Sequence, residues 1–133
     1  MFNALEDPKL HDLAKLAGRI LLALMFVLAG WSKIGGYAGT QGYMASAGVP
    51  GMLLPLVILL ELVGGLMIVA GYQTRLVALL MAGFCILANL LFHIKFGDPV
   101  QMLFFMKNLA VTGGFLVLFA AGPGAYSVDA RKG

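Results

Sequence analysis

Apolar residues run almost unbroken through four stretches of the chain, Leu13–Ile34, Met52–Gly71, Leu76–Ile94 and Met102–Ala121, with polar residues gathered between them. Each stretch has about the 20 residues that an α-helix needs to cross a hydrocarbon core. Strand-like alternation is absent, which argues against a membrane β-barrel. The pattern therefore predicts an all-α fold: an integral membrane four-helix bundle, one domain over residues 1–133. Gly35-Gly36 ends the first span. The longest connection follows it, from Tyr37 to Gly48, and is the only one of mixed polarity. It reads as a short interfacial helix or re-entrant turn, with Tyr37 and Tyr43 at headgroup level. Gly71-Tyr-Gln-Thr-Arg75 and Gly97-Asp-Pro99 make the other two connections, and Gly122-Pro123-Gly124 ends the last span before a short polar tail. Pro8 predicts an extended entry to the first span.

Composition strengthens the membrane reading. The chain is 61% hydrophobic and 11% charged, against roughly a quarter charged in an average soluble protein. The basic residues supply an orientation. Lys9, Lys15, Arg19, Arg75, Arg131 and Lys132 fall on one side, and Lys33, Lys95 and Lys107 on the other. The excess of Lys and Arg in cytoplasmic loops then predicts an inner-membrane protein with both termini in the cytoplasm. The net charge of +3 follows from that topology and gives no reason to expect nucleic-acid binding. The first apolar run is too long for a signal peptide and lacks a small-residue cleavage site, so it should remain as an anchor. Cys85 is the only cysteine and lies within the third span, where packing is the simpler role.

The candidate chemistry lies in the polar residues inside the spans, because ionisable side chains in hydrocarbon are costly and need partners. Glu61 is the lone carboxylate of the second span, and its helical neighbours Gly64 and Gly65 mark a face of close helix approach. Arg19, Ala23, Phe26, Gly30 and Lys33 form one stripe on the first span. Cys85, Asn89 and His93 share a face of the third, and Lys107, Asn108 and Thr112 lie on the fourth. At 1.5 Å per residue, Glu61 sits about 13 Å, and Asn89 and Lys107 about 9 Å, below the outer surface. Glu61, Asn89, His93, Lys107 and Asn108 can thus converge in the outer half of the bundle.

Each of these residues also has a structural reading. Glu61 could pair with Lys107, or hydrogen-bond to Asn89, simply to fix helix register. Lys107 could extend along its stem to the interface, and Lys33 and Arg19 read as anchors. His93 could hydrogen-bond to a neighbour near the interface, and Trp31 reads as a belt residue. The eight methionines read as packing. His11 and His93 are too few to ligate a membrane haem from one chain. There is no Cys-x-x-Cys pair and no His and carboxylate cluster at metal-ligand spacing, so no metal site is expected.

A family resemblance emerges from several motifs together: Arg19 with Ala29-Gly-Trp-Ser-Lys33, Glu61-Leu-Val-Gly-Gly-Leu66, and Gly71-Tyr-Gln-Thr-Arg75. Met106-Lys-Asn-Leu-Ala-Val-Thr-Gly-Gly114 and Tyr126-Ser-Val-Asp129 extend it. This set resembles the DoxX family of small membrane proteins, from about residue 14 to residue 130. The segments Gly36-Tyr-Ala-Gly-Thr-Gln41 and Val49-Pro-Gly51 are similar to its bacterial inner-membrane branch. The resemblance implies a link to quinone-dependent sulfur oxidation, as in the archaeal subunit that names the family, or to oxidative-stress complexes of some actinobacterial members. It matches the family's Glu, Lys and Asn positions to Glu61, Lys107 and Asn108. Many members carry a histidine where this chain has Trp31.

The leading expectation is a redox-linked accessory protein with an outward-facing pocket for a quinone or similar amphipathic ligand. Lys107, Asn108, Asn89 and His93 would bind the ligand and Glu61 would transfer a proton, with no covalently bound cofactor. A redox partner protein would supply electrons. The alternatives are a non-catalytic interaction or lipid-handling protein whose buried charges are structural, and a proton-coupled carrier of a small solute. A small-residue face at Ala78–Ala82 suggests a homodimer.

Overall fold

The computed structural model describes residues 5–92 and 97–132. It is all-α, with no strand among the described residues. Four helices are long and apolar enough to cross a membrane: Pro8–Gly35, Gly51–Ala70, Thr74–Phe92 and Pro99–Ala121. We label the elements α1 (Pro8–Gly35), α2 (Tyr37–Ser46), α3 (Leu54–Ile58), α4 (Gly64–Ala70), α5 (Thr74–Phe92), α6 (Pro99–Ala121) and α7 (Val128–Lys132). The second span is composite. A 3₁₀ turn at Gly51–Leu53 leads into α3, and a π-helical turn at Leu59–Val63 joins α3 to α4.

Local chemistry sets the ends of the spans. The side chain of Asp7 accepts the backbone N–H of Lys9, and Pro8 occupies the first turn of α1. Pro8 therefore opens the helix and does not hold the chain extended, because the first turn has no use for the N–H that proline lacks. Asp98 caps α6 in the same way, ahead of Pro99. The third span is described to Phe92, so its expected end at Ile94 lies outside the described residues. The mixed-polarity connection forms helix α2, which folds back onto the second span through Met44, Val49 and Leu54.

The stripe read on the first span is its buried face. Arg19, Ala23, Phe26 and Gly30 are buried, and they meet α4 and the π turn, while α5 packs along α6. Ala23, Phe26, Ile68, Ala78, Met81 and Phe115 form the centre of the core, with the rings of Phe26 and Phe115 tilted at 5.5 Å. Leu21, Leu28, Leu56, Leu103 and Val117 point outward, as lipid-facing residues should. Lipid offers apolar side chains the same surroundings as the core does, so close packing and polar contacts hold the helices together. Ala78 and Ala82 belong to this core. The expectation that they form an exposed self-association face is thus corrected: small residues there let α5 approach its own neighbours.

The end carrying both termini is tied by a polar lace. Arg19 donates to the carbonyls of Ile68 (3.2 Å) and Val69 (3.1 Å) at the end of α4, and to that of Tyr126. The Asp129 carboxylate accepts the N–H groups of Gln73 and Thr74, both at 2.8 Å, at the start of α5. Its own N–H donates to Gly71, and Asp12 accepts the N–H of Ala125. Gly71 caps α4 at a φ of 74°, packed so closely against Arg19 and Ser127 that a side chain there would overlap both. The polar tail is therefore a docked segment, and Arg19 is a buried clamp where the sequence suggested a headgroup anchor.

Candidate functional site

At the opposite end, Glu61 lies in the π turn and is 4% exposed. A π turn inserts one residue into the helical ladder and changes where the following side chains point, a device common at functional sites. α1 comes unusually close here. A Cβ on Gly30 would lie 3.0 Å from both Cβ and N of Leu62, so only glycine permits this approach. One turn further along the same face, Lys33 places its Nζ 2.6 Å from Oε1 of Glu61. That oxygen is otherwise enclosed without a hydrogen-bond partner. The contact is an ion pair and not a well-directed hydrogen bond.

Glu61 therefore pairs with Lys33, where the sequence pointed to Lys107 or Asn89. The reason is register. Lys33 continues the stripe of Arg19, Ala23, Phe26 and Gly30, which faces the second span, and its long stem reaches down from the helix end. The sequence suggests an anchor at Lys33, although its place on that stripe is legible.

The pair borders a half-open cavity of about 330 Å³. Lys107 and Asn108 line it from α6, Cys85 from α5, and Thr40 and Tyr43 from α2. The remaining wall is mostly apolar, including Phe26, Leu54, Phe84 and Phe92. Tyr43 and Phe92 stack at 5.4 Å. Glu61, Lys107 and Asn108 thus share one cavity, with Lys33 added. The Lys107 amine sits over the Phe104 ring at 5.0 Å from its centroid, and the backbone carbonyl of Asn108 accepts the Thr112 hydroxyl at 2.7 Å.

Asn89 is directed elsewhere. Its amide donates to the Phe105 carbonyl at 3.2 Å, its Oδ1 is enclosed without a partner, and it does not line the cavity. His93, the remaining candidate, lies outside the described residues. No single residue type flags Thr40, Tyr43 and Phe92 as lining; their place depends on how α2 folds back.

Four apolar spans and a mixed cavity beside a buried ion pair define a small multi-pass membrane protein with a candidate ligand pocket. The family model described as DoxX matches residues 14–94, and the chain belongs to this family. The matched region includes Arg19, Lys33, Glu61 and Asn89 and stops before Lys107 and Asn108. The chain is 57% identical over 121 residues to the inner membrane protein YqjF of Escherichia coli (strain K12), covering 91% of this chain and 93% of the relative. It is 37% identical to the inner membrane protein YphA of the same organism, over 87% of this chain and 88% of the relative. CatD of Bacillus subtilis (strain 168), provisionally named an oxidoreductase, is 31% identical over 56% of this chain and 55% of the relative. No solved structure matches the chain. With relatives named as inner membrane proteins and four apolar spans of its own, the chain is a multi-pass inner-membrane protein.

Proposed function

We propose that this protein binds the head group of a quinone or similar small amphipathic molecule in the cavity beside Lys33 and Glu61, as an accessory to a redox partner. The observation that carries the reading is the buried ion pair at the edge of an otherwise apolar cavity. A volume of about 330 Å³ suits a single ring with its tail left in the bilayer, and ligand pockets commonly combine apolar walls with a few convergent polar groups. The distribution of Lys and Arg favours both termini in the cytoplasm and the cavity toward the outer face. The name carried by CatD agrees with redox-linked work.

Each residue then has a role set by its chemistry. Lys33 and Lys107 donate hydrogen bonds to ring oxygens, and the Asn108 amide orients one of them. Glu61 holds a proton at a carboxyl oxygen for general acid–base work, with Lys33 2.6 Å away to balance its charge when it is ionised. Apolar walls keep bulk water out. A bound quinone would supply two-electron chemistry, with electrons delivered by a partner protein.

Titration of the detergent-purified chain with a short-tailed quinone tests this. Saturable binding is expected, weakened at least tenfold by Glu61→Gln and by Lys33→Met. If both variants lose thermal stability yet bind as the wild type does, the pair is structural. The protein is then better read as a non-catalytic membrane interaction or lipid-handling component.

A further inference from the structure

We propose that the pocket prefers a ligand whose polar end carries one negative charge, an ionised oxygen on a quinone-type ring, held by Lys107 and Asn108. This deepens the ligand-binding reading above and rests on it. The argument is one of charge balance. Lys33 and Glu61 cancel each other at 2.6 Å, and they do so wherever the shared proton resides. Lys107, an exposed residue, also lines this cavity, and among the described residues no carboxylate pairs with it.

The chain's other carboxylates are committed away from the cavity. Asp7 and Asp98 cap α1 and α6, Asp12 meets the N–H of Ala125, Asp129 caps α5, and Glu6 precedes α1. Among the described residues, the contact found for the Lys107 amine is the Phe104 ring. A ring face attracts a cation far less strongly than an anion does. In a medium of low dielectric, an unbalanced amine draws an anion more strongly than it would at a wet surface.

Asn108 supplies a second donor. It is buried, its backbone carbonyl is taken by Thr112, and it lines the cavity. Being next to Lys107 and on the same cavity wall, it can direct an N–H at the same oxygen. Phe26, Phe84 and Phe92 add aromatic side chains to the cavity wall. A neutral ring would use the donors and leave the Lys107 charge uncompensated, whereas an anionic ring satisfies both.

A matched pair of probes tests this on the intact chain in neutral detergent at pH 7.5. One is a 2-hydroxy-3-alkyl-1,4-naphthoquinone, whose acidic ring hydroxyl is ionised at that pH; the other is its neutral 2-methoxy analogue. The hydroxy compound should bind at least tenfold tighter. Lys107→Met should erase that preference, and Lys107→Arg should keep it, with circular dichroism reporting the fold of each variant. If Lys107→Met fails to fold, Lys107→Gln takes its place. Equal affinity of the two probes for the wild type overturns the charge preference and leaves the pocket reading standing. A preference that survives removal of the amine overturns the assignment to Lys107. Binding of neither probe brings down both readings.

Discussion

Lys33 and Glu61 are unequal partners. The carboxylate side chain is 6% exposed and the amine's is 27% exposed, so removing one is not equivalent to removing the other. Lys33→Met strands an enclosed acid, at a cost of about 3 kcal/mol by analogy with broken buried pairs. Glu61→Gln leaves an amine that can turn toward the interface and should cost less, about 1 kcal/mol. The double variant should recover most of the larger loss, since replacing both charges removes the mismatch. Thermal unfolding of the three variants in one detergent checks that order. A double variant no more stable than Lys33→Met would show that the pair is not the coupled unit described.

At the scale of elements, two devices govern the site. The first is the close approach of α1 to the π turn. Gly30→Ala must push Leu62 away, an overpacking cost of about 1–3 kcal/mol, and should uncouple Lys33 from Glu61. Adding Lys33→Met to that background should then cost little more, read again by thermal unfolding. The second is the cap on α5. Asp129→Ala removes the acceptor for two N–H groups and should cost about 1–2 kcal/mol, seen as a lower melting temperature and faster proteolysis of the tail.

These elements also mark how far the sequence could be read. The four spans, the buried stripe of α1 and the anomaly of Glu61 were legible, because helical spacing and the cost of charge in lipid act locally. Gly64 and Gly65 mark the bundle-facing side of the second span together with Glu61, and all three are buried. The partner of Glu61 was not legible. Depth along a regular helix favoured Lys107, while the answer turned on the buried stripe of α1 and the reach of the Lys33 stem, which depth does not reveal. The docked tail was missed because Tyr126-Ser-Val-Asp129 looks like any polar end until Arg19 and α5 are placed beside it. Asn89 looked like a site residue on its face of α5, yet a carbonyl of α6 claims its amide.

For the whole molecule, one end is laced by polar contacts and the other holds a cavity, so the two ends should respond differently to reagents. With Cys85 replaced by Ala, Ser46→Cys in α2 should be labelled by an impermeant maleimide from the periplasm. Arg75→Cys, in the first turn of α5 at the end bearing both termini, should be labelled only after the membrane is opened. Reversal of that pattern would invert the orientation drawn from the basic residues and turn the cavity toward the cytoplasm.

The contact between Arg19 and Tyr126 spans 107 positions of the chain. Its acceptor emerges only after the fourth span has been made, so until then the guanidinium has only the carbonyls of Ile68 and Val69 at the end of α4. Assembly is thus gated by its final ligature: helical hairpins can insert one after another, but the ring of termini closes last. Chains arrested before Tyr126 would hold an arginine still short of one of its three acceptors.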